Sequence, residues 1–182
     1  MTGLPDFPYH PDPVATRSVE GSETRCLACG KARGFIYTGP IYAVDELVDA
    51  ICPWCIADGT AAAKFDAAFT DVGSSVPDDV PAEVVEMIAM RPPGFGGWQQ
   101  EHWLYHHNDG AAFLGRAGSE ELELHPDAIE SLRREGEENG WDADQIAEYI
   151  GALAKDGDAT AYLFRCRHCG TDLAYSDSAN RR

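Results

Sequence analysis

The chain has no run of about 18 apolar residues, so no segment reads as a membrane-spanning helix. Its opening, Met1-Thr2-Gly3-Leu4-Pro5-Asp6-Phe7-Pro8-Tyr9-His10, lacks the basic and apolar regions of a secretory signal. A basic patch is missing too. The largest clusters are Arg133-Arg134 and the terminal Arg181-Arg182. With 14 Lys and Arg against 31 Asp and Glu, the formal net charge is −17. Such a chain repels nucleic-acid phosphate and anionic membranes, so a protein is the expected partner and the acidity keeps the surface solvated. Catalytic signatures are sparse as well. There is no Gly-x-Ser-x-Gly and no Cys-Gly-x-Cys-Trp. Gly94-Phe95-Gly96-Gly97 has neither the preceding strand nor the lysine of a phosphate-binding loop.

What is present is cysteine in a pattern. All six fall in Cys-x-x-Cys pairs: Cys26/Cys29, Cys52/Cys55 and Cys166/Cys169. Without a secretory signal, that spacing points to metal or redox chemistry in a reducing compartment, here the cytoplasm, and not to a disulfide framework. The first two pairs flank a compact insert, which is what a four-thiolate zinc site requires, with each sulfur about 2.3 Å from the ion. Gly30 follows the first pair as in a knuckle. Pro53 and the alanines after Cys55 predict a helix to about Phe69 that carries the second pair at its N-terminus. Knuckle, hairpin and helix in that order predict a treble-clef or zinc-ribbon-like module over about residues 24–70. Gly59 interrupts the predicted helix, and pattern alone gives no account of it.

The third pair, with Gly170 behind it, predicts a second knuckle at the tip of a hairpin formed by Ala159–Arg165 and Asp172–Tyr175. Zinc takes four ligands, so Cys166 and Cys169 need help. His102, His106, His107 and His168 are the candidates for a second metal. The pair could also compete with the first knuckle for Cys52/Cys55, act as a reducible dithiol, or be inert. A second site with an open position would activate water, with Glu101 or Asp109 as general base, and the protein would be a metal-dependent hydrolase. A thiol-redox protein is the further alternative.

The remaining chain predicts an α+β fold. Residues 1–23 form a Pro-rich extended arm with docked aromatics, and residues 71–182 an α+β portion that makes one compact unit with the zinc module. A helical turn is expected at Val44–Val48, helices at about 82–90, 126–138 and 142–154, and a strand at 111–116. The last strand pairs with the C-terminal hairpin in a small antiparallel sheet. The segment Trp98, Gln99, Gln100, Glu101, His102, Trp103 and His106 is the candidate binding surface, with stacking rings and amide donors. Its competing reading is a loop that plugs the core between the two halves.

Several strings together resemble the CbrC family of bacterial proteins. They are Leu4-Pro5-Asp6-Phe7-Pro8-Tyr9-His10-Pro11-Asp12-Pro13, Cys52-Pro53-Trp54-Cys55-Ile56-Ala57-Asp58-Gly59, Pro93-Gly94-Phe95-Gly96-Gly97-Trp98-Gln99-Gln100-Glu101, Ala111-Ala112-Phe113-Leu114-Gly115 and Tyr162-Leu163-Phe164-Arg165-Cys166-Arg167-His168-Cys169-Gly170. The resemblance spans nearly the whole chain. It implies a cytoplasmic bacterial protein associated with a stress-responsive regulon and with tolerance to a nuclease-type colicin, and it implies no reaction. The function expected from residues and resemblance together is a zinc-stabilised, non-enzymatic protein-binding or adaptor module. One departure stands out. The family pattern has His-Cys where this chain has His106-His107, so His107 would do with nitrogen what a thiolate does in relatives.

Overall fold

Residues 3–73 and 76–179 are described by the structure, a computed structural model. Arg181-Arg182, the ends of the predicted arm and C-terminal portion, and Ser74-Ser75 of the intervening loop lie outside the described residues. The first knuckle joins β1 (Val19–Ser22) to β2 (Gly34–Tyr37), an antiparallel pair registered Val19 to Tyr37 and Ser22 to Gly34. β1 falls inside the segment expected to be an extended arm, which was not expected to pair as a strand. Its one strong apolar residue, Val19, is fully buried against the first core, and that anchor sets the strand.

The single helix expected after Cys52 is two short ones, α1 (Pro53–Ala57) and α2 (Thr60–Phe65). Gly59 breaks it by adopting φ +77°, a left-handed conformation that a side chain resists. A Cβ there would also sit 2.5 Å from the guanidinium carbon of Arg91. Arg91 uses that space to donate from Nη1 to the Ala57 carbonyl at 3.2 Å. α2 ends at Asp66, short of Phe69. The turn expected over Val44–Val48 is not helical. Only Leu47 is buried there while Val44 and Val48 face solvent, so no helical face exists to pack.

After α3 (Ala82–Met90), a two-residue hairpin unforeseen in the sequence forms from β3 (Tyr105–His106) and β4 (Asp109–Gly110). Its turn residues, His107 and Asn108, both have positive φ, +54° and +57°. That is the pattern of a type I′ turn, whose twist suits a tight hairpin. β5 (Ala112–Ala117) follows, then α4 (Ser119–Leu122), α5 (Pro126–Glu138), α6 (Ala143–Ala152), β6 (Ala159–Arg165) and β7 (Asp172–Ser178). Asp142 caps α6 by accepting from Gln145 N–H at 2.9 Å, and Gln145 returns the bond at 2.9 Å.

β5, β6 and β7 form an antiparallel sheet in that order, as expected. The fold is therefore mixed α and β, with small antiparallel sheets and short helices, and its first half is compatible with the predicted zinc module. Three apolar cores hold it. One surrounds the first knuckle through Val19, Ile36, Tyr37, Ile51, Ile56 and Phe69. The second is aromatic, with Phe95 stacked on Phe113 at 3.8 Å beside Trp103 and Phe164. The third lies between β6 and the last helices, with Leu122, Leu132, Leu153 and Leu163. Phe7 enters the first core and Tyr9 the second, so the N-terminal arm bridges them. No helix among the described residues is long and apolar enough to cross a membrane.

Candidate functional site

Both predicted knuckles fold by the same hydrogen-bond pattern. Cys26 N–H donates to Lys31 O at 3.0 Å, and Gly30 N–H donates back to Cys26 O at 2.7 Å. Cys166 N–H donates to Thr171 O at 2.8 Å, and Gly170 N–H to Cys166 O at 3.0 Å. Gly30 and Gly170 have φ of +71° and +78°, which closes each turn and leaves two thiols facing one point. A further N–H aims at the leading sulfur in each, from Cys52 to Cys26 Sγ at 3.3 Å and from His168 to Cys166 Sγ at 3.4 Å.

The first knuckle meets the pair on α1. Cys52 is the N-cap residue and Pro53 the first helical residue, so the helical turn carries Cys55 back over Cys52. The sulfurs of Cys26, Cys29, Cys52 and Cys55 all lie within 4.8 Å of one another. Cys29 and Cys52 are 4.0 Å apart, close to the edge of about 3.8 Å for a tetrahedron of thiolates around zinc. Burial pushes the Cys52 thiol up to about 11 and raises Cys55 further. At Cys29 burial is outweighed by bonds from Lys31 N–H and the neighbouring thiols, which bring it down to about 7. Four thiolates this close repel one another, and a divalent cation at their centre removes that cost. Lys64 on α2 donates to the carbonyls of Leu27 and Ala28 at 2.9 and 3.3 Å and ties the helix to the knuckle.

The second knuckle meets the β3–β4 hairpin instead. Ligand atoms of His106, His107, Cys166 and Cys169 all lie within 4.8 Å of one another. His107 Nδ1 is 3.5 Å from Cys166 Sγ, and His106 Nδ1 is 3.6 Å from Cys169 Sγ. The nitrogen–sulfur edge of a zinc tetrahedron is about 3.6 Å, so the spacing fits. The left-handed turn at His107 brings two consecutive histidines to one point, which an extended strand would send to opposite faces. Burial opposes ionisation of Cys166, but His107 and the His168 and Cys169 backbone outweigh it and hold the thiol down to about 6. Cys169 is lowered by the Thr171 hydroxyl. His107 is raised, chiefly by Cys166.

Asp109 braces this cluster. Its carboxylate accepts from Tyr9 Oη at 2.7 Å, Arg167 Nη1 at 2.7 Å, His168 Nε2 at 2.9 Å and Gly110 N–H at 2.8 Å. Arg167 and His168 lie between the two knuckle cysteines, so Asp109 ties the knuckle to the histidine hairpin and the N-terminal arm. Burial works against its ionisation, yet Tyr9, His168 and Arg167 keep it below the usual carboxylate range. All its lone pairs are engaged, so it is not the free general base considered from the sequence. The brace itself was not read from the sequence. Its one signal was Arg167-His168, two side-chain donors placed inside a metal-binding pair.

Glu101 is occupied as well. It is buried and accepts from Tyr42 Oη at 2.6 Å, Gln100 Nε2 at 2.9 Å and Asp71 N–H at 3.3 Å. Of the four candidate histidines, His102 packs edge-on against Tyr175 and His168 serves Asp109. The third pair does not compete for Cys52/Cys55, because each cluster has its own set of four donors.

Of the candidate binding surface, Glu101 and Trp103 are buried, and Trp103 follows the competing reading of a core plug. Trp103 is buried at 1% exposure, packs on Phe95 and Phe164, and donates to Ala111 O at 3.0 Å. Gln99 N–H binds Asp177 at 2.9 Å and Trp98 Nε1 binds Gly157 O at 3.0 Å. Apolar burial of the tryptophan and satisfaction of the Glu101 carboxylate draw the segment inward. It joins the first half to the C-terminal sheet, and only Trp98, Gln99 and Gln100 keep exposed side chains, with His102 and His106 half-buried.

Residues 4–178 match the sequence profile of the uncharacterised protein family UPF0167. A UPF0167 protein of Mycobacterium bovis is 55% identical over 176 residues, covering 97% of this chain and 94% of that one. One from Mycobacterium tuberculosis matches equally, and one from Pseudomonas aeruginosa is 43% identical over 169 residues, covering 92% of this chain and 93% of its own. No solved structure matches the chain significantly. These matches carry neither the CbrC name nor any term for colicin tolerance or stress. The chain belongs to the uncharacterised family UPF0167.

Proposed function

We propose that this UPF0167 member is a non-enzymatic protein-binding or adaptor module, held in shape by two structural zinc ions and acting in the bacterial cytoplasm. The observation that carries the reading is the completeness of both donor sets. Four thiols in one, and two thiols with two imidazole nitrogens in the other, are both established shells of structural zinc. Soft sulfur with imidazole and no oxygen ligand favours zinc over magnesium or calcium. A shell filled by four protein donors leaves no position for an attacking water, and both acids considered as bases are bound elsewhere. The low thiol pKa values at Cys166 and Cys169 serve a metal ligand as well as a redox thiol, and the two histidines beside them favour the metal.

The colicin tolerance implied by the CbrC resemblance gives this module a setting. A bacterial host deleted for its UPF0167 gene and complemented with this chain should survive a nuclease-type colicin better than the uncomplemented host. The Cys166→Ser/Cys169→Ser variant should not complement. Equal survival with and without the chain would remove the toxin setting. For the adaptor reading, a cross-linked partner lost on zinc chelation supports it, and turnover of a metal-dependent hydrolase substrate by the two-zinc protein would overturn it.

A further inference from the structure

The strongest unexplained feature is a cleft of about 660 Å³ between the N-terminal arm and the bulged strand β5. That volume is in the usual range for a small-ligand site. In a chain of net charge −17 its wall has the opposite sign. It holds three of the 14 basic residues, Arg17, Arg116 and Lys155, and one of the 31 acidic ones, Asp156. None of the three lies near a neighbour in sequence, so the fold has gathered them.

The backbone under Arg17 is unusual. Its φ is +61°, a left-handed conformation that non-glycine residues avoid. It is pinned there from both sides, since its N–H donates to Val14 O at 3.0 Å and its carbonyl accepts from Thr38 Oγ1 at 3.0 Å. Strain of this kind concentrates at functional positions. Across the cleft, β5 changes register between Phe113 and Gly115, and Arg116, directly after the shift, lines the wall. Arg116 spends one N–H on Gly96 O at 2.8 Å, and its guanidinium has further donors. Lys155 is half exposed, and its ammonium lies 3.9 Å from Glu121, a weak competitor.

We propose that this cleft binds a small phosphate monoester, its dianion held by Arg17, Arg116 and Lys155 and its carbon body against Leu114 and Pro40. Guanidinium forks match phosphate and carboxylate oxygens alike, but a monoester dianion places two negative charges on one head group where a carboxylate places one, which suits three cations in one wall. Asp156 in the same wall opposes a longer polyphosphate by like-charge repulsion. The site is independent of the two metal centres.

The test is titration calorimetry on the full zinc-loaded chain with phenyl phosphate, inorganic phosphate and malonate at constant ionic strength. Phenyl phosphate should bind saturably and weaken steeply with added salt. Malonate, whose two charges sit on separate carboxylates, should bind at least about tenfold more weakly. The Arg17→Ala/Lys155→Ala variant should lose at least about tenfold in phenyl phosphate affinity with unchanged zinc content, because both side chains lie at the surface. Arg17→Lys, which keeps the charge and removes the fork, should fall between. No saturable binding to about 10 mM, an affinity the variants leave unchanged, or malonate binding as well as phenyl phosphate would each overturn the proposal.

Discussion

Replacing Asp109 by asparagine probes how the second centre is supported without touching a ligand. The asparagine keeps the shape and the contacts to Tyr9 and Gly110. It loses the charge that Arg167 meets at 2.7 Å and His168 at 2.9 Å. Bonds to a charged group contribute about 1.5–3 kcal/mol each, and Arg167 is a third exposed, so solvent screens part of that value. The expected loss is about 2–3 kcal/mol, or a fall of about 5–10 °C in Tm for a chain of this size. Residues that orient metal ligands are worth about 10–100-fold in metal affinity. Zinc release to a colorimetric chelator should therefore become about tenfold or more faster for one ion per chain, while the other ion keeps its original rate. Release of both ions at parental rates, or equal acceleration of both, would refute the assignment of Asp109 to the second centre alone.

The remaining predictions concern the folded framework. Gly59→Ala forces a side chain into a left-handed backbone and onto Arg91, at a cost of about 2–3 kcal/mol measured by urea unfolding, with zinc content retained. Trp103→Ala empties the aromatic core and should cost about 3–5 kcal/mol in the same assay. His10 is buried between Pro93 O and Thr16 Oγ1, and burial takes its pKa down from 6.5 to about 4. The unfolded chain then binds the extra proton between those values. The contribution of His10 is complete above about pH 6.5 and falls by about 3 kcal/mol as pH drops toward 4. A pH series of unfolding curves should show that slope in the parent and a shallower one in His10→Gln.

Much of the framework was legible because it is local. The knuckles follow from Cys-x-x-Cys-Gly, α5 from apolar spacing between Pro126 at its start and Asn139-Gly140 at its end, and α6 from apolar spacing behind the Asp142 cap. The sheet follows from the run Ala159–Arg165, whose middle residues Thr160–Phe164 are all buried. What escaped was set by long-range contacts. Val19 becomes a strand residue only because Tyr37 and the first core receive it. Gly59 becomes intelligible once Arg91, far away in sequence, fills the space beside it. The same holds at the second centre. Four histidines were eligible on chemistry, and the choice of His106 and His107 rests on a type I′ turn built from His107-Asn108, residues that tolerate positive φ without advertising it. The sequence left Trp103 open between a surface ring and a core plug and Glu101 between a surface group and a general base; an aromatic core and the Tyr42 hydroxyl claim them.

The second metal centre is the central claim, and counting zinc by native mass spectrometry tests it most directly. The measurement compares the parent with a His106→Ala/His107→Ala variant, both purified under reducing conditions. Two zinc ions per chain in the parent and one in the variant is the predicted result. One ion in both would confine metal to Cys26, Cys29, Cys52 and Cys55, and two in both would show that these histidines do not hold the second; either result would contradict the account.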